Sequence, residues 1–492
     1  MPNRRLSSKK RATNRPVVAS LGASLIAICG ATLLGAMPAQ AADLTASTNA
    51  DPSFFTGLFG ESRANLLGDM GGLRTALGNY GITFNLTETS EELGNVTGGT
   101  QRGFDYEGLT TATVQVDTSK AFGPEGGTFN VSALQIHGRN LSADNLSSLQ
   151  TASGIEAEGT TRLWELWYQQ SFLDGDFDVK FGQQSIDQEF MASQGSALYV
   201  NTMMGWPMVP SADLYAGGPA YPLSSLGFRA RGNIARNVTV LAGMFDDNPP
   251  GGSFSNDDQL LGAEAGGTRF NLGTGALIIS EIQYGVNQPA LGDMATPDQK
   301  DGLPGMYKLG FWYDTAKYPD QRFDASGVSL ATSATGIPAM HQGNYSFYAV
   351  ADQTIWQPDP QDPQSVAVFI RPMWAPDDRN AIDFSVNAGV NLKAPLPGRD
   401  DDTFGVGYGL AHVSSRLAAL DGDLTAAGSP TIKQTQEQFI EVTYQAQVAQ
   451  WWQVQPDVQY VFNPGAGEYN PNNVAEKVKD ELVLGVRTNI TF

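Results

Sequence analysis

Eight residues whose side chains could bind a solute lie at alternate positions of short stretches in which polar and apolar residues take turns. They are Glu165, Trp167, Lys180, Arg229, Arg231, Arg371, Glu441 and Arg487. Hydroxyl groups both donate and accept hydrogen bonds, and arginine and carboxylate groups bond to them more strongly than neutral groups do. An aromatic ring can also cover the apolar face of a ring-shaped solute. The mixture of both charge signs therefore suits a neutral, polyhydroxylated solute.

Two other interpretations of this candidate set stay open. Charged residues of opposite sign can pair with one another instead of binding a solute, and we expect this of about half of the set. An excess of basic groups at the narrowest point would instead favour anions. Within the set we single out two neighbouring pairs, Arg229 with Arg231 and Glu165 with Trp167.

The sequence offers little support for an enzyme. Its histidines are His137, His341 and His412, and it contains no H-E-x-x-H metal motif, no G-x-S-x-G nucleophile motif and no phosphate-binding loop. A hydrolase would need one of these histidines beside a serine on a shared face, and His137, at the end of a predicted strand, is the one placed for it. We therefore expect no catalysis and no cofactor.

Two acidic clusters could bind a calcium ion through carboxylate oxygens. They are Asp246–Asp247 and Asn256–Asp258. Such runs are more often solvated loop, so we expect no metal site.

The candidate residues lie in stretches of about ten residues. In each stretch the odd-numbered and even-numbered positions differ, one set being mostly apolar and the other mostly polar. A side-chain period of two is typical of a strand with two unlike faces. The length, the recurrence and the aromatic ends favour a transmembrane β-barrel over a soluble sandwich. We count sixteen strands: Ile82–Leu93, Glu107–Val116, Thr128–His137, Arg162–Phe172, Phe177–Gln184, Leu226–Ile234, Val238–Phe245, Ala276–Val286, Met306–Tyr318, Tyr345–Trp356, Ser365–Trp374, Ile382–Leu392, Thr403–Val413, Glu437–Val448, Trp452–Phe462 and Glu481–Phe492.

The connections fit a barrel with short periplasmic turns and longer external loops. The connections Leu173–Asp176, Ala235–Asn237 and Ala449–Trp451 are tight. The third external connection, Ser185–Ser225, is long and rich in Met, Trp and Tyr, so we expect it to fold inward and narrow the lumen. Before the first strand, Glu61–Asn79 has leucines at helical spacing and predicts a short amphipathic helix. Strand three is irregular, because its apolar residues change parity between Val131 and Leu134.

The first 41 residues have the composition of a secretory signal peptide. A basic head precedes the apolar stretch Val17–Leu34 and the cleavage signature Ala39–Ala41. The chain has 30 Lys and Arg against 51 Asp and Glu, and loss of six basic residues with the signal would bring the formal charge from −21 to −27. So acidic a protein is not expected to bind nucleic acid. Its only cysteine is Cys29, inside the signal.

Three segments resemble the carbohydrate-selective porin family of the OprB type. They are Leu163–Ser193, Ala133–Ser142 and, above all, Glu441–Gly465, which reads EVTYQAQVAQWWQVQPDVQYVFNPG. The resemblance covers most of the chain after the signal and is weakest over Asp246–Gly275 and the external loops. It implies a sixteen-stranded outer-membrane barrel that lets sugars such as glucose diffuse inward.

The prediction is therefore an all-β protein, a transmembrane antiparallel outer-membrane β-barrel of about 16 strands. Residues 1–41 are the signal, 42–80 a periplasmic segment with a short helix, and 81–492 the porin domain. We expect outer-membrane lipid and permeating small carbohydrates as its partners; a homotrimer and a monomeric barrel both fit the sequence. The alternatives are a general or anion-selective porin and, from other classes, an outer-membrane hydrolase or a surface adhesin.

Overall fold

Sixteen antiparallel strands close into one barrel. The computed structural model describes residues 63–249, 266–287, 302–359, 362–429 and 431–492. The signal, residues 42–62 and the acidic cluster at 256–258 lie outside the described residues. The wall consists of β1 Ile82–Thr97, β2 Gly103–Asp117, β3 Gly127–Gly138, β4 Thr160–Phe172, β5 Phe177–Gln184, β6 Ser225–Ala235, β7 Val238–Asp246, β8 Ala276–Val286, β9 Gly305–Asp324, β10 Pro338–Trp356, β11 Ser365–Trp374, β12 Ile382–Lys393, β13 Thr403–Val413, β14 Gln436–Ala449, β15 Trp452–Phe462 and β18 Glu481–Thr491. A small hairpin, β16 Tyr469–Asn470 and β17 Asn473–Lys477, lies between the last two wall strands.

The predicted sixteen-stranded antiparallel barrel is confirmed, with strand ends that differ by a few residues. The largest differences are at β9, which runs on to Asp324, and at β10, which begins at Pro338. The barrel closes where β1 pairs with β18, with Thr87 opposite Thr491. The N–H of Phe492 donates to the carbonyl of Leu86 at 2.9 Å, so the last residue of the chain belongs to this seam.

Strand β3 keeps its inward and outward alternation despite its irregular sequence. Phe129 and Val131 are exposed on the outer face, whereas Leu134 and Ile136 are buried on the inner face. The inner pair packs in a cluster with Ile155 of the following loop. The apolar residues change parity because a loop, and not water, covers the inner face at this end of the strand.

The predicted N-terminal helix is shorter than expected. Of the predicted range, the structure describes residues 63–79; Leu73–Asn79 (α1) is helical there, and the residues before it form turns. Gly68, Gly71 and Gly72 adopt positive φ there, a conformation that interrupts a right-handed helix. Arg74 of α1 donates to the carbonyl oxygens of Phe84 and Phe492, so this helix lies against the barrel seam.

The other helices lie in connections between strands. They are α2 Thr118–Phe122, α3 Leu141–Asn145, α4 Thr202–Gly205, α5 Met208–Asp213 and α6 Ser415–Ala426. None of the helices in the described ranges is both long enough and apolar enough to span a membrane.

The connection between β5 and β6, residues 185–224, lies inside the barrel; we call it the inner loop. Its Phe190, Met204 and Trp206 are buried in one cluster with the inward residues Trp312 and Phe369 of the wall. This apolar core fills part of the lumen, because the loop brings its own Met and Trp side chains to the wall. Residues of this connection thus pack against inward-facing residues of the wall.

Candidate functional site

Arg371 fastens the inner loop to β11. Its side chain is fully buried, and its guanidinium donates to the carbonyl oxygens of Met203 at 2.7 Å and Met204 at 2.9 Å. The same group donates to the carbonyls of Met191 and Gly205, both at 2.9 Å. Arginine offers five N–H groups in a fixed fork, so one side chain can hold two separate segments of the loop together.

Inward carboxylates also hold the loop. They accept hydrogen bonds from its backbone N–H groups, whereas Arg371 donates to its carbonyl groups. Glu441 accepts from the N–H groups of Val200 at 2.5 Å and Asn201 at 3.2 Å. Glu281 accepts from the N–H of Met191 at 2.9 Å. Because buried backbone donors must be paired, these acceptors decide where the loop can rest.

A second connection, residues 139–159 between β3 and β4, is held in the same way. Glu437 accepts from the N–H groups of Leu149 and Gln150, each at 2.7 Å. The two connections also touch, since the hydroxyl oxygens of Thr151 and Thr202 lie 2.6 Å apart. The two connections inside the barrel therefore touch each other, and each is held by its own wall carboxylates.

A ladder of charges lies where the inner loop leaves the wall; we call it the charge ladder. Its basic members are Lys180, Arg229 and Arg231, and its acidic members are Asp178 and Glu189. Glu189 belongs to the loop and pairs with both Lys180 and Arg229, while Asp178 pairs with Arg229 and with Arg231 at 2.7 Å. Burial raises the pKa of Glu189, but the cations Lys180 and Arg229 outweigh it and lower that pKa to about 2.

Glu165 and Trp167 lie beside this ladder on β4. Glu165 is buried and accepts from the N–H of Ser185 at 3.1 Å, at the start of the inner loop. The ammonium group of Lys180 lies 4.8 Å from the centre of the Trp167 ring, a cation–π distance. Both residues are therefore engaged by neighbouring protein groups, and Trp167 remains only partly exposed.

The eight candidates differ in how much of each side chain reaches solvent. Arg371 and Glu441 are fully buried, and Lys180, Arg229 and Glu165 are nearly so. The side chain of Arg231 is 43% exposed, whereas that of Arg487 is 14% exposed and pairs with Glu91 at 2.5 Å. Four of the eight candidates, Lys180, Arg229, Arg231 and Arg487, form ion pairs with carboxylates, whereas Arg371, Glu441 and Glu165 bond to loop backbone.

Sequence reasoning missed the two acidic partners of the ladder, Asp178 and Glu189, and two of the acceptors that hold the loop, Glu281 and Asp352. Asp178 lies at the same parity as Lys180 and directly opposite Arg231 in the β5–β6 register, so strand pairing could have found it. Glu189 could not be found in this way, because it lies in a loop without a period. Asp352 accepts from the hydroxyl of Ser193 at 2.6 Å and the N–H of Gly195 at 2.9 Å.

In the part of the chain that the structure describes, no group of three or more metal-ligating side chains is found. His137 lies on the outer face, with Nε2 3.3 Å from the hydroxyl of Tyr106. His341 and His412 each pair with an aspartate, Asp320 at 2.9 Å and Asp383 at 2.6 Å. Asp247 accepts from the hydroxyl of Thr274 at 2.7 Å.

A closed barrel with an apolar outer wall, a polar inner wall and loops folded into its lumen defines an outer-membrane porin. The model of the carbohydrate-selective porin, OprB family, matches residues 101–492, and the chain belongs to this family. It is a carbohydrate porin of the outer membrane, and membership implies a channel rather than an enzyme.

Similar proteins support the same assignment. Porin B of Pseudomonas aeruginosa PAO1 is 26% identical over 450 residues, which is 87% of this chain and 91% of that protein. A putative porin, QuiX, of Acinetobacter baylyi is 22% identical over 454 residues, 88% of this chain and 94% of its own. The high-pH structure of Pseudomonas putida OprB has a TM-score of 0.76 at 24% identity, covering 88% of this chain and 100% of that one, and it supports the fold.

Proposed function

We propose that this porin conducts small neutral carbohydrates such as glucose by passive diffusion. The observation that carries the proposal is the charge ladder, in which three cations alternate with two carboxylates beside a partly exposed tryptophan. Its exposed members, Arg231 and part of Glu189, offer a donor and an acceptor to hydroxyls, while the buried and paired members leave no strong field for ions. A conduit must also release its solute, so we expect weak binding.

Within the candidate set we propose two kinds of role. Arg231 and Trp167, which keep exposed surface, contact the passing solute. Arg371 and Glu441 act at a distance from it, by holding the inner loop that sets the width of the lumen. Lys180, Arg229, Glu165 and Arg487 keep the charged side chains and the loops in position.

An anion-selective or general porin is the competing proposal. The ladder has one more cation than carboxylates, and its exposed member, Arg231, is basic. This excess favours anions if the remaining lining does not offset it. Lumen charge therefore discriminates between the two proposals.

The test is solute uptake by liposomes that contain the purified barrel. Glucose, a disaccharide, an uncharged amino acid and a simple anion of similar size are compared at equal concentration. Glucose entry well ahead of the size-matched solutes supports a sugar-selective lumen. Equal entry of all four solutes is compatible with an open barrel but rejects sugar selectivity. Faster entry of the anion supports the competing proposal.

We further propose that residues 1–41 are removed on export, that residues 42–80 remain periplasmic and that the barrel domain, 81–492, inserts into outer-membrane lipid. The basic head and the Ala39–Ala41 signature support the cleavage. N-terminal sequencing of protein from outer membranes tests it, and a first residue other than Ala42 contradicts it. A hydrolase would instead lose an activity on His137→Ala, and an adhesin would keep its binding when the pore is blocked.

A further inference from the structure

A buried arginine without an acceptor lies at the start of β4. Arg162 is 4% exposed, and its Nε and Nη1 atoms have no hydrogen-bond partner within the described residues. Arg162 pairs with Leu134 in the β3–β4 register, and opposite residues of paired strands point to the same face, so both side chains lie on the inner face. A guanidinium keeps its proton at every physiological pH, so burial cannot neutralise it. A buried charge of this kind normally has a group of opposite charge beside it.

Trp164, two residues further along β4, carries a second donor without an acceptor. It is 4% exposed, and its indole Nε1 is also unpartnered in the part of the chain that the structure covers. The β3–β4 register shifts between Ser132 and Ala133, and this bulge leaves Trp164 without an opposite residue. The indole lies on the inner face, in one buried cluster with Leu134. Guanidinium and indole N–H groups can only donate, so the two side chains offer donors alone.

The surroundings of these donors are apolar. Trp164 belongs to a buried cluster with Leu134, Ile136 and Ile155, and Tyr221 packs against it. The ring of Tyr221 meets that of Trp164 edge-on at 6.3 Å, and its hydroxyl donates to the carbonyl oxygen of Ile155 at 2.9 Å. Three segments therefore meet here, namely the start of β4, the connection 139–159 and the end of the inner loop.

We propose that the N–H groups of Arg162 and Trp164 bind a small monovalent anion such as chloride. An anion accepts several N–H groups at once and also cancels the buried positive charge, whereas a water molecule supplies an acceptor without charge. The large apolar side chains around the donors favour a single-atom anion over a carboxylate or a phosphate. The bound ion stabilises the junction of β4 with the two connections. Both donor residues are buried, so the inference does not depend on which solute the porin conducts.

Thermal unfolding of the purified porin in detergent tests the anion site. The protein is dialysed into sodium isethionate, whose anion is too bulky for the site, and sodium chloride then replaces this salt at constant ionic strength. A ligand that binds only the folded state raises the unfolding temperature steadily with the logarithm of its concentration, once this exceeds the dissociation constant. We expect this rise in the wild type. An unfolding temperature that does not differ between the two salts overturns the proposal.

Three variants show which groups are responsible. Arg162→Met keeps an unbranched stem but removes the buried charge, so we expect no response to chloride and, in isethionate, a stability at least equal to that of the wild type. Arg139→Met is the control and should respond to chloride as the wild type does, because Arg139 is 66% exposed and pairs with Asp144 at 2.9 Å. Trp164→Phe removes only the indole N–H and should need several-fold more chloride for the same rise. A chloride response that survives in Arg162→Met contradicts the assignment.

Bromide gives a direct readout that does not require any variant to fold. Crystals of the wild-type porin grown with sodium bromide in place of sodium chloride contain an anomalous scatterer with the charge of chloride and nearly its size. We expect an anomalous peak within hydrogen-bond distance of the side-chain nitrogens of Arg162 and Trp164. Density for water without an anomalous peak there, or bromide bound only elsewhere, overturns the proposal.

Discussion

The guanidinium of Arg371, on β11, donates a 2.7 Å hydrogen bond to the carbonyl oxygen of Met203, in the loop that crosses the lumen. A fully buried cation thus serves a loop of the same chain and leaves none of its surface to a solute. Other inward charged residues, such as Glu281, Glu437 and Glu441, likewise form hydrogen bonds with backbone groups of the loops inside the barrel. We therefore expect the width of the pore to depend on side chains that do not contact the solute.

Removing the Arg371 guanidinium should widen the channel. Arg371→Met keeps an apolar stem of similar length but leaves four loop carbonyls without their donor, at a cost of about 1–3 kcal/mol for each buried group left unsatisfied. We expect a larger single-channel conductance and faster disaccharide entry in planar bilayers and liposomes. Arg399→Met is the control, since Arg399 is 40% exposed and pairs with Asp402 outside this loop. An unchanged conductance in Arg371→Met would show that the loop stays in place without this anchor.

Glu441→Gln should loosen the tip of the inner loop without releasing all of it. The two carboxylate oxygens of Glu441 accept from two consecutive N–H groups, those of Val200 and Asn201. A glutamine offers one acceptor and turns an amide N–H₂ toward the other donor, which costs about 1–3 kcal/mol. We expect a noisier open-channel current and a lower unfolding temperature. Glu476→Gln, at an exposed position of β17, should change neither, and a quiet current in Glu441→Gln contradicts the assignment.

The same substitution should mainly affect sugar binding at Arg231 and mainly affect stability at Arg229. Arg231→Gln removes a 43% exposed cation, so we expect a loss of stability below about 1 kcal/mol but weaker block of the ion current by glucose. Arg229→Gln removes the buried partner of both Asp178 and Glu189, so we expect a loss of about 3–5 kcal/mol. Thermal unfolding and sugar-dependent current block measure the two effects. Equal stability losses in the two variants would contradict the assigned burial.

The attachment of the inner loop through Glu189 should withstand mild acid. The pKa of this carboxyl is lowered from 4.5 to about 2, because the pull of Lys180 and Arg229 exceeds the effect of burial. A depressed pKa contributes stability that is fully present above the unfolded value and is lost as the pH falls toward the folded value. We therefore expect the stability difference between wild type and Glu189→Gln to stay constant from pH 7.5 to about pH 5 and to shrink below about pH 4. A difference that already vanishes between pH 7 and pH 5 would contradict the ion pairs.

The polar and apolar parity of the strands determined the wall of this protein. A period of two places side chains on opposite faces whatever the neighbours are, so the sixteen strands, the outward aromatic residues and the inward Arg229, Arg231 and Glu441 follow from spacing alone. The same rule does not say what an inward residue touches. Arg371 and Arg231 occupy equivalent positions in the sequence pattern. Arg371 is nevertheless fully buried, whereas the side chain of Arg231 is 43% exposed.

Only the tertiary structure decided those contacts, since the loops that supply the partners have no period to read. Glu189 and Met203 lie in an irregular loop, where side chains do not alternate between two faces. Their positions in the sequence therefore do not predict that they contact Lys180 and Arg371. Glu88 on β1 shows the converse, because parity already turns it outward and strand pairing alone brings His137 beside it. Local periodicity is thus enough for a face, whereas a contact between distant segments requires the packed barrel.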